Sequence, residues 1–130
     1  MRVRRGDIFH RFFQTTNPPK SKFFVIVGEN EDNFFGFFFI NSNINRFVAQ
    51  SAEMSQMQFP LKSSDYPFLD HLSFIAGHEL SVMPKDELFN ELRNGTTQWR
   101  GKMIEADLEM LLDAASRSCL FSPKEKTFFL

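Results

Sequence analysis

Several residues in this 130-residue chain have side chains suited to acting on a charged ligand. Arg2, Arg4 and Arg5 cluster near the start, and Lys20 and Lys22 flank an apolar run. Cations so grouped can bind phosphate, although such clusters also serve simply as solvated surface. Asn41, Ser42 and Asn43 follow the run FFGFFFI at 34–40. Amide and hydroxyl groups at a strand's mouth either supply donors to a site or merely begin a turn. The three histidines and Cys119 lack metal-ligand spacing, so neither a metal nor a cofactor is assigned. The glycines form no phosphate loop, and no Gly-x-Ser-x-Gly elbow is present.

The elements that must position these groups read mostly as β in the first two thirds. DIFHRFF (7–13) suits a strand with one wet face, and Pro18 and Pro19 interrupt pairing after it. KFFVIVGE (22–29) is β-branched and aromatic, GENEDN (28–33) is turn-forming, and FFGFFFI completes a hairpin over 22–40. Runs that apolar and that short predict strands covered on both faces. RFVAQ (46–50) and MQFPL (57–61) are each short strand candidates, with Pro60 pushing the second to an edge. KSSDYPFLDH (62–71) is a loop. LSFIAGHELSVM (72–83) is one bent strand or two short ones, with Gly77 permitting the bend.

The last third turns helical. Pro84 sits at a first helical position, Leu88, Phe89 and Leu92 form a stripe, and Gly95 ends the helix. WRGKM (99–103) is a further short strand. A longer helix runs from Glu105 to Ser118 on Leu108, Leu111, Leu112 and Ala115. Pro123 stops any further helix and TFFL is a greasy tail. The fold class expected is a β-rich α+β domain over residues 1–130, a small curled sheet or barrel capped by helices, the longest near the C-terminus.

Composition narrows the partner classes. The net charge is −1, so no bulk electrostatic footprint marks the chain for nucleic acid. No apolar run approaches the ~20 residues of a spanning helix. MRVRRGDIF is charged but lacks a signal's apolar stretch. With one cysteine and no internal disulfide, the chain reads as a soluble cytoplasmic protein with no membrane partner. Eighteen phenylalanines supply large buried area without a polar handle, and a surplus of them marks a partner surface. His10 and His71 read as structural or surface residues.

The order of elements resembles that of the MazF/PemK toxins of type II toxin–antitoxin pairs, over about residues 5–118. RRGDIF is similar to the family's opening strand, and KFFVIVGE to its second. FFFINSN is similar to the strand ending in Ile-Thr-Ser or Ile-Thr-Asn, and LSFIAGHELSVMPKDEL and GKMIEADLEMLLDAA to the closing segments. The resemblance implies an SH3-like β-barrel, usually a homodimer, acting as a metal-independent endoribonuclease on single-stranded RNA and blocked by a cognate antitoxin. RNA cleavage through its own 2′-hydroxyl needs a base, an acid and a donor for the charge on phosphorus.

Residue by residue, the family's Arg falls on Lys22, which lacks the planar fork that grips phosphate, and its Thr falls on Asn41 beside Ser42. A lysine is suited to acid duty near neutral pH only if burial lowers its pKa. The family's later Arg and Asp fall on Ala76 and His78, and an imidazole titrates near physiological pH. The implied site is Lys22, Asn41, Ser42 and His78, with Asp7, Lys20, Asn43, Ser73 and Glu79 holding substrate. Two alternatives stand beside it: the same barrel, catalytically inactive, binding RNA or a protein; and an unrelated β-rich module assembling through its phenylalanines.

Overall fold

The computed structural model describes residues 2–13, 20–40, 52–70 and 72–130. Among these described residues, seven strands form the sheet: β1 (Asp7–Phe13), β2 (Lys20–Glu29), β3 (Asn33–Ile40), β4 (Gln58–Leu61), β5 (Ser73–Ala76), β6 (Ser81–Pro84) and β7 (Thr97–Lys102). Four helices accompany them: α1 (Ala52–Gln56), α2 (Lys85–Asn94), α3 (Glu105–Arg117) and α4 (Pro123–Lys126), the last running into a 3-10 turn at Thr127–Phe129. The chain is thus a β-rich α+β fold. The strand pairs are antiparallel, in the order β4-β5-β3-β2-β1-β7. The sixth strand lies beside the first half of β3, and β5 beside its second half.

The alternation of side chains along β2 explains why it reads as continuous apolar sequence. Phe24 and Ile26 join Val3, Phe9, Phe34 and Met83 on one face, which α2 covers with Leu88, Phe89 and Leu92. Val25 and Val27 join Ile8, Phe37 and Ile75 on the other, covered by Leu111 and Ala115 of α3. A strand buried on both sides needs no polar face. The β2–β3 turn is closed by Asn30, whose side-chain oxygen accepts from the backbone N–H groups of Asp32 and Asn33.

Several expected boundaries hold. The segment 72–83 is two strands broken at Gly77, whose N–H donates to Met57 O, and a Cβ there would meet that oxygen at 2.5 Å. Pro60 is exposed on β4, at the end of the sheet order. Gly95, at φ 82°, caps α2. Three readings need correction. Pro84 ends β6 and precedes α2 rather than opening it. Pro123 starts a helix rather than stopping one, because Ser122 and Glu125 close a reciprocal capping box around it. The TFFL tail is more than a loose end: Phe129 is buried against Phe37 and Phe121, and half-buried Phe128 stacks on Phe35 at 3.9 Å, while Thr127 and Leu130 stay exposed. Helix α1 has no sequence counterpart, being five residues long with no buried side chain. The expected strand at 46–50, the proline loop and His71 lie outside the described residues.

Candidate functional site

The split in the partners of β3 creates the most distinctive polar setting in the sheet. Pairing to β6 ends at Gly36, and pairing to β5 begins at Phe39. Phe37 and Phe38 therefore face the 77–80 loop instead of a strand. Phe37 points into the α3-side core, and Phe38 packs on the face that carries α2.

Lys22 stands diagonally across from Phe38, since β2 and β3 pair Phe24 with Phe38. Its ammonium lies 5.9 Å from the Phe38 ring centroid. It is half-buried, and desolvation holds its pKa below the usual lysine range. The charge of Lys20, two residues along the same face, pushes the same way, while Glu79 from the 77–80 loop opposes it. Beside them, Phe13 meets Phe38 edge-on at 4.9 Å, and the Arg11 guanidinium lies 5.0 Å over Phe13. Cations and aromatic rings thus alternate across the outer end of β1, β2 and β3.

Arg11 is fixed rather than available. It pairs with Glu91 and Glu87 of α2, each at 2.5 Å, and Glu91 also accepts from Thr97 Oγ1 at 2.6 Å. The hydrogen bond from Arg11 is the main reason the Glu91 carboxyl sits below the ordinary carboxylate range. This network anchors α2 across β1 and β7.

The remaining expected residues scatter. His78 turns toward β4, where its Nδ1 meets Gln58 Nε2 at 2.8 Å, an amide that also donates to Met54 O. Ser73 is buried on β5 opposite Leu61. Asp7 is buried at the far end of β1. It accepts from the Arg4 backbone N–H at 2.7 Å and from Trp99 Nε1 at 3.2 Å, with Lys102 Nζ at 3.8 Å. Four residues separate it from the level of Lys22, about 13 Å along the strand. Asn41, Ser42 and Asn43 lie outside the described residues.

The structure therefore brings together Lys20, Lys22 and Glu79 and sets Asp7, Ser73 and His78 elsewhere. It adds Phe13 and Phe38, whose place beside the lysines is readable from strand alternation once the hairpin register is fixed. On the opposite face, His10 stacks on Phe23 at 4.4 Å, and burial, followed by the charge of Arg100, lowers its pKa.

Among the described residues, no three of His, Cys, Asp and Glu converge as a metal site would require, and no helix is long and apolar enough to cross a membrane. No protein-family model matches the chain, and no curated protein matches it in sequence.

Proposed function

We propose that the protein is an endoribonuclease of the MazF/PemK kind, the toxin of a toxin–antitoxin pair on an SH3-like barrel, cutting single-stranded RNA at the Lys22 end of the sheet. One observation carries the proposal: a desolvated lysine with a lowered pKa, set against Phe38 and within electrostatic reach of Glu79. That setting meets the condition a lysine must satisfy to act as an acid nearer neutral pH. Phe13 and Phe38 offer faces on which bases stack, and Lys20 adds charge for the backbone.

In this reading the ribose 2′-oxygen attacks the adjacent phosphorus, and its proton passes to the Glu79 carboxylate. The bond from phosphorus to the 5′-oxygen breaks, and Lys22 gives that oxygen a proton. The products are a 2′,3′-cyclic phosphate and a free 5′-hydroxyl. Lys22 and Lys20 offset the charge gathering on phosphorus.

The test is incubation of the purified protein with end-labelled single-stranded RNA in the presence of EDTA. Fragments ending in cyclic phosphate are expected. Lys22→Ala should slow cleavage by about 10²–10⁴-fold, with Lys22→Arg retaining more. Cleavage unaffected by Lys22→Ala refutes the assignment. A second reading, RNA binding without cleavage, is favoured by His78 being engaged by Gln58 rather than standing beside Lys22. Tight RNA binding by an intact protein that leaves the strand whole selects it.

A further inference from the structure

A second basic site lies at the other end of the molecule. Seven residues of β2 separate Lys22 from Glu29, about 23 Å along the strand. There the N-terminal segment, the β2–β3 hairpin and the start of α2 enclose a concavity of about 450 Å³. Arg2, Arg4, Arg5 and Lys85 line it, with Phe89 on one wall and Glu29 the one carboxylate among the described residues. Four cations against one anion concentrate positive charge in a chain whose net charge is −1.

The state of each group decides what the cavity can take. Lys85 Nζ is 3.0 Å from Glu29 Oε1 and lies 5.1 Å over the Phe34 ring, so this carboxylate is already engaged. Arg5 donates to the backbone oxygens of Phe128 and Leu130. Arg2 and Arg4 are exposed, and neither guanidinium has an ion-pair partner among the described residues. Val3 between them is buried, which turns both arginines outward. Two residues of chain set their Cα atoms at most about 7 Å apart, within the spacing of neighbouring phosphates on a single strand. Neither acidic side chain of the first turn of α2 lines the cavity: Glu87 is bound to Arg11, and Asp86 lines the adjoining depression with Phe89, Leu92 and Arg93, Phe89 standing between the two.

We propose that this cavity binds the phosphate backbone of a single-stranded nucleic acid, as a station remote from Lys22 that holds the flanking strand. The guanidinium forks of Arg2 and Arg4 grip adjacent phosphates, and Lys85 supplies charge from the cavity wall. The inference deepens the RNA reading above, and it rests on that reading for the identity of the strand, not for its own geometry.

The test is fluorescence anisotropy with a labelled 12-nucleotide RNA and a DNA strand of the same sequence, across a range of salt. Arg2→Gln/Arg4→Gln should weaken binding of both strands at least about fivefold at low salt. It should also flatten the slope of log affinity against log salt by about 1.4, at about 0.7 for each single-strand phosphate no longer neutralised. The control Lys62→Gln/Arg117→Gln removes equal charge at two residues that do not line the cavity and should leave the slope unchanged. Equal slopes for the arginine variant and the wild type overturn the inference while leaving cleavage at Lys22 untouched. Arginine-dependent binding by a protein that does not cut RNA sinks the endoribonuclease reading and leaves this site standing. An equal loss in the control variant reduces the effect to net charge and overturns the site, and no binding to either strand at low salt removes both proposals.

Discussion

Replacing Gly28 with alanine should detach the C-terminal tail. Gly28 sits at the irregularity in the β2–β3 pairing, and the Phe128 backbone passes directly over it. A Cβ there would lie 2.2 Å from Phe128 O and 2.9 Å from Phe128 Cβ. Relief requires the tail to move by about 1 Å, because close packing leaves no slack on the strand side. That shift bears on the 3.9 Å stack of Phe128 on Phe35 and on the buried Phe129. It also bears on the two bonds Arg5 makes to Phe128 O and Leu130 O. Full burial of one Phe contributes about 1.5–3 kcal/mol, a ring pair about 0.5–1.5, and an exposed hydrogen bond roughly 0.5. Complete detachment, which forfeits the Phe129 burial, three ring pairs and both bonds, therefore costs roughly 4–8 kcal/mol, and a shift that only loosens these contacts is expected to cost about 3. Where the backbone has room for a Cβ, Gly→Ala tends to stabilise by restricting the unfolded chain, so the sign alone discriminates. Urea unfolding of Gly28→Ala measures the loss. The double variant with Arg5→Ala tests its cause. Arg5→Ala should destabilise the parent by about 1 kcal/mol. In the Gly28→Ala background it should have scarcely any effect, since the partner of Arg5 has already moved. A Gly28→Ala protein within about 0.5 kcal/mol of the parent, or an Arg5→Ala effect of equal size in both backgrounds, refutes the docking argument.

Three further outcomes follow from individual side chains. If Lys22 is the acid, the alkaline limb of the cleavage–pH profile reports its deprotonation and lies below that of an ordinary lysine. Lys20→Gln removes a repelling charge and should move that limb to higher pH, whereas Glu79→Gln, which also removes the proton acceptor and slows cleavage, removes the attracting charge and should move the limb of the residual activity lower; shifts of one sign in both variants refute the arrangement. Glu91 has a folded-state pKa below its unfolded value of about 4.5, so its stabilising contribution is present above that pH and lost as pH falls through the folded value; urea midpoints of Glu91→Gln should be lower than the parent's at pH 7 and converge toward them at about pH 3. Tyr66 donates to Asp107 at 2.6 Å and accepts from the Ile104 N–H at 3.0 Å, so Tyr66→Phe should cost about 1.5–3 kcal/mol in the same assay, and a loss under about 0.5 means that water replaces both bonds.

How much of this is legible in the sequence depends on the range over which each feature is decided. The hairpin, the α2 and α3 stripes and the break at Gly77 are set by neighbours a few residues apart, and their sequence patterns place them within a residue or two. Local chemistry also sets the capping box, yet Pro123 alone suggests a stop because proline ends one helix and begins another with equal ease. The tail departs from expectation for a different reason. Phe128 and Phe129 have no local partners, and their burial comes from β3, Phe121 and the Gly28 gap. The same holds for the site. Lys20 and Lys22 share a face by the period of two, so their pairing is readable. That Glu79 approaches them while the adjacent His78 turns to Gln58 depends on which way a loop leaves β5, and composition does not encode that.

The placement of charge follows from the same architecture. Both faces of β2 and β3 are covered along most of their length, so apolar sequence there yields core and no surface. Cations can reach solvent from β2 only beyond the cover. At one end Lys20 is exposed and Lys22 half-buried at the rim of the α2-covered face. At the other, α2 begins with Lys85, and the arginines of the N-terminal segment gather beside it. A strand that bridged the two ends would have to pass around α2, whose position is fixed by Arg11 through Glu87 and Glu91. Breaking that anchor with Arg11→Met should then weaken nucleic-acid binding beyond the effect of one charge, because it frees the helix separating the two basic ends. A salt slope lowered by no more than about 0.7, the value for a single phosphate, would show instead that the two ends act independently.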